Sequence, residues 1–289
     1  MFKKLRYILW YKEIDKNDGA LVGGKNASLG EMVRSIGKEG INLPDGFCLT
    51  SKAFWYFLKK NKIDKKIKEN FSRFNPKDLN SLRETGKASR ELILKAEFPK
   101  DLRKKIIKSY KDLSRRYKQD NVDVAVRSSA TAEDLATASF AGQMESFLNI
   151  SGEEQLLKAI KSCIASLFTD RSISYREEKG FDHLKIALSV GIQKMIRSDL
   201  SSSGIMFTLD TETGFENVVL INSIWGIGEL IVKGKITPDE FYVFKPTLEK
   251  GFKSIIVKNL GRKNKKYIYA KNGGLEEAEV KNKDQLKFS

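Results

Sequence analysis

Val124-Ala125-Val126-Arg127-Ser128-Ser129-Ala130-Thr131-Ala132-Glu133-Asp134, continued by Ser139-Phe140-Ala141-Gly142-Gln143-Met144-Glu145-Ser146-Phe147-Leu148-Asn149, is the stretch on which the reading of this chain turns. Its opening residues form an apolar strand that delivers Arg127 into a run of hydroxyls and small side chains. Such a run packs no core but can offer hydrogen-bond donors to an anion, and a guanidinium adds a planar fork of them. Arg127 is therefore the first candidate site residue. A second reading stays open here, in which Arg127 pairs with Glu133 or Asp134 at a polar strand end. Gly142 stands where a flexible loop could fold over a ligand, and Ser146 lies on the strand that returns.

Upstream of this stretch, from Leu49 to about Tyr117, the pattern is helical. Leu102, Ile106, Tyr110, Leu113 and Tyr117 recur at three- and four-residue spacing with Lys and Arg between them, which predicts a helix with one face on a core. Pro76 and Pro99 fall at breaks, as residues without an amide donor should. Downstream, short β-rich runs take over: Val122 to Val126, Ile186 to Ile196, Gly204 to Leu209, Val218 to Asn222, Phe241 to Phe244, Ile255 to Val257 and Tyr267 to Tyr269. A helix with Leu156, Leu157, Ile160 and Ile164 on one side separates the first two. The expected fold class is α+β, with a helical N-terminal lobe over 1–120 and a mostly antiparallel β-rich lobe over 121–289.

Three further segments bear on chemistry. In Gly23-Gly24-Lys25-Asn26-Ala27-Ser28 two glycines free the backbone, a lysine follows and a helix begins at once, which suits an anion but reads equally as a glycine turn before a helix with a solvated lysine. With Gly19 it nearly spells the phosphate-loop pattern, but Asn26 stands where a hydroxyl would hold magnesium, and no convincing buried strand precedes it; a phosphate loop is rejected. Gln193, in the apolar strand Leu188 to Ile196 interrupted by Gly191, either reads the edge of a base or caps an unpaired backbone group. His183 is the only histidine, and its polar turn lacks the glycine and hydroxyl setting of a phosphoryl acceptor; it is expected in a surface loop.

Composition closes off several classes. At 289 residues and 40% hydrophobic, the chain can bury a large core. No stretch approaches the roughly 18 apolar residues of a membrane span, and the opening apolar run is too short for a signal peptide, so a cytoplasmic location is expected. Cys48 and Cys163 are isolated and read as ordinary buried residues. The net charge of +16 is spread over lysines interleaved with acids, as in Lys59 to Glu69, and Arg262 to Lys266 reads as a turn between strands. Dispersed lysines without aromatic stacking residues argue against a dedicated nucleic-acid face.

Taken in order, seven stretches, GGKNASLGEM (23–32), LPDGFCLT (43–50), AVRSSATAEDLATASFAGQMESFLNI (125–150), SLFTDRSISYREEKGFDH (166–183), QKMIRSDLSSSGIMFTLDTETGF (193–215), WGIGE (225–229) and PDEFYVFKPTL (238–248), closely resemble the N-terminal nucleotide-binding domain of the phosphoenolpyruvate synthase (pyruvate, water dikinase) family. Pyruvate phosphate dikinase and rifampicin phosphotransferase share the domain type. The resemblance covers essentially the whole chain. It implies an ATP-grasp-like domain that gives the βγ-pyrophosphoryl group of ATP to a histidine on a separate swivelling domain, leaving phosphohistidine, AMP and phosphate. A barrel domain would then phosphorylate pyruvate. Carried over, Lys25 and Arg127 would bind the phosphates, Gly142 would belong to the loop above them, Ser146 would lie near the nucleotide and Gln193 would face adenine. Mg2+ is implied too, on motifs the family carries beyond the point where this sequence stops at Ser289. The partners implied are the phosphohistidine and pyruvate-binding domains, with a homo-oligomer for the full-length protein. Two other functions remain in view: a non-catalytic module that holds ATP, and a related phosphotransferase with another acceptor.

Overall fold

In the computed structural model, which describes residues 6–131 and 145–289, the chain divides into two compact units, 1–195 and 196–289. The elements of the first are β1 (Ile8–Trp10), α1 (Gly19–Ser35), β2 (Gly46–Leu49), α2 (Ser51–Lys60), α3 (Ile63–Ser72), α4 (Leu79–Lys95), α5 (Lys100–Arg116), β3 (Val124–Ala130), β4 (Ser146–Ile150), α6 (Glu153–Ser166), α7 (Asp170–Glu178) and β5 (Leu188–Lys194). Those of the second are β6 (Ser202–Phe207), β7 (Val218–Trp225), α8 (Glu229–Val232), β8 (Asp239–Phe244), α9 (Lys245–Leu248), β9 (Ile255–Asn259), β10 (Lys265–Tyr269), β11 (Leu275–Glu279) and α10 (Asn282–Gln285). The chain is α+β, and every strand pair among the described residues is antiparallel.

The sheet of the first unit runs β1-β2-β5-β3-β4. Strand side chains alternate between faces, and one face carries Phe47, Leu49, Val124, Val126, Ala130, Leu188, Val190 and Ile192, all buried in one core. The helices cover that face. α5 inserts Leu102, Ile106, Tyr110 and Leu113, the spacing read from the sequence, and α6 adds Leu156, Ile160 and Ile164. Pro99 caps the start of α5. Cys163 belongs to this core, while Cys48 lies on the other face; both are buried and free, and burial pushes the Cys48 thiol up to about 12.

The boundary between units is not at residue 120. β1 and β2, from before that point, pair through β5 with β3, so cutting at 120 would open the sheet. The change of composition at Asn121 marks a change of secondary structure inside one unit, because strand pairing joins residues too far apart for local patterning to show.

His183 lies in a turn, as expected, but its side chain is not at the surface. Its side chain is only 9% exposed. Nδ1 accepts from Nε of Arg176 (2.9 Å), Nε2 faces Glu177 Oε1 (2.6 Å), and the ring lies 4.5 Å from that of Phe71. Arg176 is fully buried and also donates to the Leu167 carbonyl (2.6 Å); burial lowers it to about 10. Burial pushes His183 below its ordinary value, Glu177 opposes this and Arg176 adds to it. A histidine whose folded value is depressed stabilises the fold fully above its unfolded value of 6.5, and that contribution is lost as pH falls below it. Since His183 is the only histidine, thermal melting followed between pH 7.5 and 5 should show a drop that His183→Asn, which keeps an acceptor but cannot titrate, abolishes. An identical pH profile in the variant would refute this.

In the second unit β6-β7-β8-β9 form a four-stranded sheet and β10-β11 a hairpin. Asp239, at the start of β8, is fully buried and ion-paired with an equally buried Lys263. The Gly261 N–H donates to the same carboxylate oxygen (2.8 Å), and the Ser289 N–H (2.7 Å) and hydroxyl (2.9 Å) donate to the other. The segment 262–266 does lead from β9 into β10, as expected, but Lys263 within it is buried, and Lys265 and Lys266 open β10.

Candidate functional site

The second face of the first sheet carries a smaller cluster, in which Leu9 and Cys48 pack with Tyr11, Ile14, Leu21, Val22 and Ala27, and beside it a set of polar side chains. Register places Arg127 between Ser146 on β4 and Gly191 on β5, and places Ala125 beside Gln193. Ser129 and Ser189 pair one step further along. Arg127 is exposed although both its neighbours in β3 are buried, because its side chain leaves the face opposite the core. Among the described residues its guanidinium has no hydrogen-bond or ion-pair partner, and Glu133 and Asp134, the alternative partners, lie outside them. So does Gly142. Ser146 is exposed beside Arg127.

Against this face lies α1, and it is broken. Gly23 takes φ 72° and ψ 163°, so a new helical segment starts at Gly24. A side chain at Gly23 is impossible twice over: its φ is left-handed, and a Cβ would stand 2.3 Å from Ser129 Oγ. The break lets α1 touch β3 and turns the first residues of a helix, Gly24 and Lys25, toward the end of the sheet that bears Ser129. Helix starts of this kind favour anions. Lys25 itself is exposed at the break, between the buried Gly24 and Asn26.

Asn26 is buried and fully engaged. Tyr11 Oη donates to its Oδ1 (3.3 Å), its Nδ2 donates to the Val22 carbonyl (3.0 Å) and to Ser189 Oγ (3.0 Å), and its backbone N–H donates to Ser129 Oγ (3.3 Å). That explains why this position is not the hydroxyl of a phosphate loop. Nor does a parallel strand lead into α1; 3₁₀ turns at Tyr11–Glu13 and Lys16–Asp18 do. The Tyr11 ring lies over the sheet where a Cβ at Gly46 would come within 2.6 Å of Cε2 and one at Gly191 within 2.7 Å of Oη. Burial raises the Tyr11 phenol far above its ordinary value, so it stays a neutral donor; Arg127 is near enough to act electrostatically in the other direction.

Gln193 is buried, and its Nε2 donates to the Pro44 carbonyl (3.2 Å), the backbone-capping role open to it from the sequence. Among the described residues that is its one side-chain hydrogen bond. His183 is not part of this site: it packs with Phe71 and Phe74 near a cavity of about 190 Å³ lined by Phe54, Trp55, Ile67 and Phe168, on the helical side of the sheet. Among the described residues no group of three or more His, Cys, Asp or Glu side chains could hold a metal ion, and no helix is long and apolar enough to cross a membrane.

The structure therefore joins Arg127, Ser146 and Gln193 on one sheet face and brings the Lys25 break to that face. Tyr11, Asn26, Ser129 and Ser189 are the participants that sequence reading missed. A glycine interrupting an apolar strand, as Gly191 does, was the available sign that another segment comes close there.

Comparison with known proteins identifies the family. The chain is 52% identical over 99% of its length to phosphoenolpyruvate synthase of Aquifex aeolicus, 53% over 93% to that of Helicobacter pylori, and 46% over 91% to that of Escherichia coli. It spans about a third of the length of these relatives (34%, 33% and 33%). The family profile described as "Pyruvate phosphate dikinase, AMP/ATP-binding domain" matches residues 19–289. With that match over nearly all of its length, the chain belongs to the pyruvate phosphate dikinase AMP/ATP-binding domain family.

Proposed function

We propose that this chain is the ATP-binding, pyrophosphoryl-donating module of a phosphoenolpyruvate synthase, with an ATP-grasp-like mode of binding. The observation that carries the reading is the convergence of an exposed arginine, unpaired among the described residues, a helix start and a lysine on one face of one sheet, in a chain whose long relatives bear that name. Arg127 would grip phosphate oxygens through its fork, and Lys25 would add a point charge at the break of α1. Ser146 would lie beside the phosphates, Gly142 in the loop above them, and Gln193 would turn the unused part of its amide to adenine. The pyrophosphoryl group would pass to a histidine, and from there a phosphoryl group to pyruvate, on other parts of the longer protein.

Transfer of this kind is accelerated mainly by positioning and by neutralising charge, which these residues supply. Mg2+ would be expected with the triphosphate. The described residues do not form a cluster that fits it, so no step is assigned to it here.

The test is equilibrium binding of ATP, AMP and adenosine to the purified chain by calorimetry. Affinity should rise with each added phosphate, and the gain should shrink as salt is raised. Equal affinity for ATP and adenosine, or none for either, would overturn the reading.

A further inference from the structure

The break in α1 poses a mechanical problem. A helix interrupted at Gly23 could hinge there, and a hinge would let Lys25 drift relative to Arg127. The residue placed to prevent this is Asn26. Its backbone N–H is turned to Ser129 Oγ on β3, and the carbonyl of Val22, the group an unbroken helix would pair with that N–H, receives the Asn26 side-chain amide. The side chain thus splices the break. The same amide holds Ser189 on β5, whose hydroxyl donates onward to the Leu49 carbonyl of β2 (2.6 Å), and its oxygen takes the hydroxyl of Tyr11. One residue ties the broken helix to three strands and to the segment beside Arg127.

We infer that Asn26 is a positioning residue for phosphate recognition, fixing the spacing between Lys25 and Arg127, with Tyr11 as its support; the inference rests on the nucleotide reading above. A side chain that both donates and accepts is needed, and a short amide supplies both. The Val22 carbonyl only accepts, so a donor must face it, while Tyr11 donates, so an acceptor must face the other way. Asp offers two acceptors, Leu and Met neither, and Ser or Thr cannot reach both sides. Every polar atom of the Asn26 side chain is engaged, as a rigid buried network requires.

The experiment compares ATP with adenosine binding for the wild type, Asn26→Asp, Asn26→Ala, Tyr11→Phe and Ser129→Ala, with melting as control. Wild type should prefer ATP. Asn26→Asp and Asn26→Ala should lose tenfold or more in ATP affinity while adenosine affinity moves less than twofold, because adenosine lacks the groups that Lys25 and Arg127 grip. Tyr11→Phe and Ser129→Ala, milder changes, should lose about threefold in the same selective way, and they decide the matter if the Asn26 variants do not fold. Parallel loss of both ligands, or unchanged preference for ATP in folded variants, would overturn the inference while leaving the nucleotide reading intact. Absence of any preference in the wild type would overturn both.

Discussion

Replacing Arg127 by alanine should slow formation of the phosphoenzyme, in the full-length protein, by on the order of a hundredfold or more. A charge-assisted hydrogen bond is worth about 1.5–3 kcal/mol, and a fork presents two of them to a phosphate. Each 1.36 kcal/mol or so is a tenfold rate. Arg127→Lys keeps the charge and loses the fork, so it should recover only part of the rate. Lys25→Ala should follow the same direction less severely, since a lysine is a mobile point charge. Neither variant should melt early, because both side chains are exposed. The measurement is label transfer from β-labelled ATP, with circular dichroism melting alongside. Labelling at the parental rate, or failure only through unfolding, would make Arg127 a structural residue and sink the site assignment.

The second large effect is on stability. Lys263→Met leaves Asp239 charged and without its counter-ion, though still hydrogen-bonded, where both side chains are 0% exposed, which by analogy with other broken buried pairs costs about 3–5 kcal/mol. The second unit should lose its cooperative transition near neutral pH or melt far earlier. Asp239→Asn combined with Lys263→Met should regain most of the loss, because removing both charges removes the orphan. The pH dependence has a definite sign. Burial alone raises the Asp239 carboxyl, but hydrogen bonds from Lys263, Gly261 and Ser289 outweigh it and hold it below the usual carboxylate range. Its contribution is therefore present above the unfolded value of 3.8 and lost as pH falls through the folded one. In Lys263→Met the support of the lysine is gone, so acid, by neutralising the carboxylate, should narrow the gap to wild type. A gap that stays constant down to pH 3 would show that the cost comes from packing and not from the stranded charge.

Much of the fold could be read from local pattern. The stripe of α5, the apolar runs of β3, β5, β7 and β8, and the proline breaks all appear where periodicity and backbone chemistry put them. What stayed hidden depends on partners distant in the chain. β1 and β2 are three and four residues long, too short to show a period, and exist because β5 pairs with β2 and β2 in turn with β1. Lys263 looked like one of many solvated lysines, and only Asp239, 24 residues upstream, makes it a core residue. His183 looked polar because its sequence neighbours are, whereas its spatial neighbours are Arg176 and Phe71. At the site, Arg127 and Lys25 were legible as charges in unusual settings. Asn26 was legible only as the lack of a hydroxyl, since an amide's reason for being buried lies in the three segments it joins.

The Tyr11 ring rests on the sheet in the space that side chains at Gly46 and Gly191 would need. A tyrosine at position 11 therefore requires glycine, or a rearranged ring, at positions 46 and 191. A lineage that placed alanine at 46 or 191 first would press a methyl into the ring or its hydroxyl, and one that shortened Tyr11 first would open a void above two glycines. The constraint is one-way: the glycines make room for the ring, but loss of the ring would not release them, since a Cβ at Gly46 would still meet the Ile192 carbonyl oxygen (2.3 Å) and one at Gly191 the Asn26 Oδ1 (2.3 Å).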